Sequence, residues 1–368
     1  MVCRCEEERL VLARAGIRVH LGGFVGDDES DNVELASSTK PMMLSMVKVT
    51  KKGVSRLTKT AKRGGDKKWK LDHLPPDLRN DFTNKLVPMA KCLAGTMLDP
   101  WSGLSADQVQ DLVDEVFPDH EITVVPDDVW CGLISYRLSN WRNGFVNAAK
   151  DAIERLVTAT LEENPEADIR ELVAHYTTPR GDPPTTPYMW RKWTVNSNTL
   201  QIAKSGRLQN RLVIYTLAQA HFADYDEVPN PMELEKSELP CGALILAIQA
   251  VEHVFKWWQT GHFVEDKNTS GFFSADNYAD SVKRVIGADG RAKNTLFLVA
   301  GRFKRAVESL DVETHWVPMF EDITTTLHHV IEKRRRKSRS QSVSSAASSD
   351  FIVESDMELL FESDGDED

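Results

Sequence analysis

A chain of 368 residues with 41% apolar content can bury a sizeable core, in one large domain or two smaller ones. Its formal net charge of −11 is unevenly spread: residues 40–70 hold eleven Lys/Arg against the single acid Asp66, residues 71–330 hold 24 bases and 37 acids, and residues 350–368 hold nine acids and no base. An acidic core repels phosphate, which places any nucleic-acid affinity in the flanking arms, and no run approaches the roughly 20 apolar residues of a membrane helix.

Residues 1–69 lack sustained periodicity. Acid-rich GDDESDNVE gives way to Lys-rich KVTKKGVSRLTKTAKRGGDKKWK, read as a disordered arm with weak nonspecific affinity for nucleic acid through residues 40–70. The start, MVCRCEEERLVLARAG, carries acids where a signal peptide or a mitochondrial presequence is basic, so a soluble, intracellular protein is expected. None of Cys3, Cys5, Cys92, Cys131 and Cys241 has zinc-site spacing; Cys92 and Cys131 fall in helical patterns and read as small buried hydrophobes.

Order is expected from Trp69–Leu74. Leu78, Phe82, Leu86, Met89, Ala90 and Leu93 recur at helical spacing, with Pro88 set to kink or split the helix. SADQVQDLVDEVF is a second helix, with Ser105 and Gln108 placed for a capping box. Residues 125–164 form the strongest helix, starting at Pro126–Asp127 with a stripe through Trp130, Leu133 or Ile134, Leu138, Trp141, Phe145, Ala148 or Ala149, Ile153 and Leu156 or Val157. After a short helix at EADIRELVAHY, four prolines in 177–195 argue against regular structure: either a long loop packed by Tyr188, Trp190 and Trp193 or an interlobe linker. Helices resume at QNRLVIYTLAQAHF and at CGALILAIQAVEHVFKWWQTG, the latter apolar nearly all round as in the middle of a core. SADNYADSVKRVIG, AKNTLFLVAGRFKRAVESL and EDITTTLHHVIEKRRRK read as the last helices. The fold class is all-α: a single large helical domain over 70–330, or two helical lobes, with disordered N- and C-terminal arms.

LDPW (98–101), RLSNWRNGFVNAA (137–149), PYMW (187–190), PCGALILAIQAVEHVFKWWQTG (240–261) and GFFSADNY (271–278) stand in a recurring order. That order resembles an uncharacterised family of mushroom-forming basidiomycete fungi, a domain of unknown function, over about residues 70–320. The resemblance implies a helical fold and a fungal source, and it carries no catalytic residue.

Candidate chemistry is thin. DKNTSGFFSADN (266–277) matches the start of an EF-hand loop, but Asn277 replaces the bidentate Glu at its end, so a connecting loop is the better reading. His328–His329 and His262 lack a second His at helical spacing. Arg142, among Trp141, Asn143 and Phe145, is expected to stack or pair structurally. Trp257 and Trp258 pack a neighbouring helix or line a pocket. No catalytic, cofactor-binding or metal residue is assigned, and no cofactor is called for.

The C-terminal segment says more. Lys333, Arg334, Arg335, Arg336 and Lys337 match a cluster read by a nuclear import receptor, which implies a nuclear protein, and Lys62–Arg63 with Lys67–Lys68 offer a second. Ser338 follows basic residues, and Ser355 and Ser363 each have an acid three positions on, as kinase substrates do. In the acidic tail, Phe351, Ile352, Val353, Leu359, Leu360 and Phe361 interleave with acids, a pattern that suits docking on a protein partner. The expected function is a non-enzymatic nuclear interaction or regulatory protein. The alternatives are an enzyme with a site scattered over the helical core, or a remnant of a mobile element.

Overall fold

The computed structural model describes residues 69–330 apart from 183, 197, 198, 200, 226, 267–271 and 287–291. The basic arm, Cys3, Cys5, Lys333–Lys337, Ser338, Ser355, Ser363, the apolar tail residues and the middle of the EF-hand-like segment therefore lie outside the described residues. The chain divides into two units between Leu327 and His328; of the second, residues 328–330 are described and helical.

In the first unit the chain enters through a five-residue π turn, Phe82–Leu86, that leads into α1 (Val87–Thr96). The turn is the answer to Pro88. A proline has no N–H for the carbonyl four residues back, and here the ladder lengthens one step earlier, with the Val87 N–H donating to the Phe82 carbonyl. The same device recurs near the other end of the unit, where the π turn Val312–Trp316 closes through the Val317 N–H, just before Pro318. The shared Val-Pro-Met at 87–89 and 317–319 was a sequence signal for it.

Helix α2 (Ala106–Val116) starts on the expected capping box: the Gln108 N–H donates to Ser105 Oγ at 3.2 Å, and the Ser105 N–H to Gln108 Oε1 at 3.0 Å. Helix α3 (Val129–Glu163) is about 50 Å long at 1.5 Å per residue. Its cap is Asp128, one residue later than expected, accepting from the Cys131 N–H at 2.9 Å, while Asp127 takes the left-handed turn at φ 63°. The expected stripe of α3 is buried, with Val157 and not the half-buried Leu156 at its last position.

α4 (Ile169–Thr177) leads to a hairpin of β1 (Trp190–Val195) and β2 (Ile202–Arg207), paired antiparallel from Trp190 opposite Arg207 to Val195 opposite Ile202. α5 (Arg211–Leu217) then feeds α6 (Cys241–Trp257), the centre of the fold. Every residue of α6 from Ala243 to Val251 is fully buried, as a helix with no polar face must be, and α1, α3, α4 and α5 pack around it. Each enclosed Leu or Ile contributes about 1.5–3 kcal/mol over an exposed one. Gly242 lets α6 reach the end of α1: a Cβ there would stand 2.2 Å from the Met97 carbonyl oxygen.

The all-α reading needs correction on two counts. Residues 190–195 are a strand and not a loop, and the stretch read as two helices across 274–310 is a short helix α7 (Ala275–Tyr278), a second antiparallel hairpin of β3 (Ser281–Ile286) and β4 (Ala292–Phe297), and α8 (Gly301–Glu308). Pro187 fixes φ for one turn of 3-10 helix, Pro187–Met189, after which β-formers Trp190, Trp193, Thr194 and Val195 take over. The architecture is mostly helical with two hairpins. A last helix, α9, follows the second π turn over 317–327.

Candidate functional site

Four of the five segments that carried the family resemblance, all but PYMW, meet at Trp101. Arg142, from the middle of α3, is buried and donates through Nε to the Pro100 carbonyl at 2.8 Å and through Nη2 to the Ser102 carbonyl at 2.7 Å, with its guanidinium 5.9 Å from the Trp101 ring centroid. Burial lowers its pKa, with Asp99 opposing. It pins the LDPW loop to α3, the structural role expected of it, through two carbonyls and one indole. Trp101 in turn donates its indole N–H to Gln249 on α6 at 2.9 Å, and Gln249 donates to the Tyr278 carbonyl at 3.0 Å.

Tyr278 links this cluster to the surface. Its hydroxyl sits 2.7 Å from His253 Nδ1 and accepts from Lys256 Nζ at 3.2 Å. Burial first, and then the Lys256 charge, pull the His253 pKa down to about 4, so the imidazole that shares this hydrogen bond with the phenol is neutral at pH 7. Burial pushes the Tyr278 phenol well above the usual range.

One turn back on α6, Glu252 lines a half-open cleft of about 740 Å³. It accepts from Tyr188 at 3.2 Å and from Arg302 on α8, and Lys256 lies 4.0 Å away. Tyr188, buried, is held far above its ordinary pKa by desolvation and then by the Glu252 charge. Phe255, Met189, Trp190 and Phe303 supply the apolar lining, and Lys204 and Arg207 reach in from β2. Positions three apart on a strand face opposite ways. Gly206, at φ +66°, turns the chain between them, and a Cβ there would meet the Arg191 Cβ at 2.5 Å. Lys204 lies over the Trp190 ring at 4.8 Å, and Arg207 donates to Ser309 Oγ at 3.3 Å.

The cleft therefore carries Lys204, Arg207, Lys256 and Arg302 against one lining carboxylate, Glu252. Among the described residues neither Lys204 nor Arg207 has an acidic partner within ion-pair distance. The net charge of the core thus conceals a locally basic cleft. Sequence reasoning missed all four cations because they are strewn over 204–302; the one local signal was the Glu252–Lys256 pair at i,i+4. Trp257 packs edge-on to His253 and Phe263, and Trp258 also meets Phe263 edge-on, so both belong to packing and not to the cleft.

Elsewhere, Cys92 and Cys241 are buried and Cys131 is half-buried, each thiol pushed up to about 11 mainly by burial. Among the described residues no three His, Cys, Asp or Glu side chains gather as a metal site would require. No described helix is long and apolar enough to cross a membrane.

These features define a helical domain built around one enclosed helix, with a cationic cleft at its surface. Residues 100–288 match the family described as Domain of unknown function (DUF6532), and the chain belongs to that family. Neither a curated protein nor a solved structure matches the chain. The matched span holds Trp101, Arg142, Tyr188, Lys204, Arg207, Glu252, Lys256 and Tyr278, and it ends before Arg302.

Proposed function

We propose that this chain is a non-enzymatic nuclear interaction protein. In this reading the helical core offers its cleft to a partner, and residues 40–70 add weak nonspecific contact with nucleic acid. An import receptor reads Lys333–Lys337, with phosphate on Ser338 able to mask the cluster, and the acidic tail docks a protein through Phe351–Val353 or Leu359–Phe361. A source among mushroom-forming fungi belongs to the same reading, on the ordered segments quoted above.

The observation that carries it is how the cleft's polar groups are engaged. Glu252 is neutralised by Arg302 and Lys256 and hydrogen-bonded by Tyr188, and both tyrosines beside it are held as neutral phenols. General acid–base chemistry at neutral pH wants a group tuned toward pH 7. Here the shifts run the other way, His253 downward and the phenols upward, while two cations remain open to a ligand.

The test is in living cells. A fluorescently tagged chain is expected to accumulate in nuclei and to recover from photobleaching more slowly than an inert protein of its size. Changing Lys333–Lys337 to alanine should spread it into the cytoplasm. A wild-type chain that is cytoplasmic and freely diffusing would overturn the reading.

A further inference from the structure

We infer that the cleft takes an acidic peptide segment with an apolar anchor, presented by a partner protein; the inference rests on the binding reading above and names its ligand. Two observations point to this chemistry. The first is charge: four cations border a cleft whose single carboxylate is already neutralised, inside a region of the chain with 37 acids and 24 bases. Such an island focuses field lines, so it attracts an anion while the surrounding surface turns away anything that misses it. The second is shape and lining. Tyr188, Phe255, Met189 and Phe303 form an apolar floor, and the cations stand on three separate elements, β2, α6 and α8. A small inorganic anion would leave the floor bare and use one part of that rim. A peptide with carboxylates flanking a bulky apolar residue fills the floor and meets the rim along its length.

Lys204 and Arg207 are the residues to change, because both lack an acidic partner among the described residues and neither holds the core together. The experiment is fluorescence anisotropy with the full-length chain and a labelled Glu-Glu-Leu-Phe-Glu-Glu hexapeptide, repeated with the Gln-for-Glu peptide. Charge reversal, Lys204→Glu with Arg207→Glu, is expected to weaken binding at least tenfold. The Gln peptide should be weakened similarly, and Lys192→Glu on the same hairpin but outside the cleft should change affinity less than twofold. The milder pair Lys204→Ala and Arg207→Ala, checked for an unchanged circular dichroism spectrum, serves if the reversal misfolds. Equal affinity in the cleft variants, or for the Gln peptide, overturns the inference. So does full displacement of the peptide by millimolar inorganic phosphate, which would mark a simple anion site. Absence of peptide binding rejects this ligand and leaves the binding reading to the nuclear-retention test. A peptide recovered cleaved or modified, by mass spectrometry, would instead sink the non-enzymatic reading.

Discussion

At the residue scale, three buried polar side chains have measurable consequences. Arg142 satisfies two carbonyls from inside the core. Arg142→Met removes the donors and leaves both carbonyls desolvated, at about 1–3 kcal/mol each before relaxation, so the urea midpoint should fall well beyond the effect of a surface change. Arg142→Lys keeps charge but loses the fork, and it should sit between the two. His221 is buried with its Nδ1 unpartnered among the described residues, and burial, then the Lys91 charge, lower its pKa to about 3; that of His253 is lowered to about 4. Unfolded, both titrate near 6.5. Between those values the unfolded chain binds protons that the native state refuses, so their stability is whole above pH 6.5 and drains as pH falls. From pH 7.5 to 5.5, above the carboxylate range, the loss should be roughly 2–3 kcal/mol for the pair. Urea unfolding at the two pH values checks it, and a flat response would show that the histidines are not held neutral.

At the element scale, close packing of α6 on α1 depends on Gly242. Gly242→Ala drives a methyl toward the Met97 carbonyl and should cost about 1–3 kcal/mol, read as a lower melting temperature; an unchanged melt would mean that the two helices are not in contact there. The helices were legible where a period or a cap was local: the α3 stripe, the Ser105–Gln108 box, the all-apolar α6. The hairpins were not. Val282 and Val285 in β3 fit a short helical pattern as well as a strand, and the sequence GADG at 287–290 punctuates helices and strands alike. β1 was hidden behind Pro179, Pro183, Pro184 and Pro187, which mark where regular structure stops but not where it restarts. The cleft was illegible for a different reason. Lys204, Arg207, Lys256 and Arg302 share no spacing, and only the tertiary fold gathers them.

At the scale of the whole molecule, net charge is a poor guide to local field. An acidic core with a basic cleft can attract an anion that the average charge would repel. Because the attraction is electrostatic and partly exposed, affinity for an acidic peptide should fall as salt rises through about 0.15 M, where the screening length is about 8 Å. A salt-independent affinity would shift the weight to the apolar floor.

The central claim is that the folded core, through this cleft, holds the protein to a partner. Photobleaching recovery in nuclei, comparing the wild-type chain with Lys204→Glu, Arg207→Glu in an otherwise intact protein, tests it most directly. The account predicts that the variant still enters the nucleus and recovers measurably faster than wild type. A recovery rate identical to wild type would contradict it.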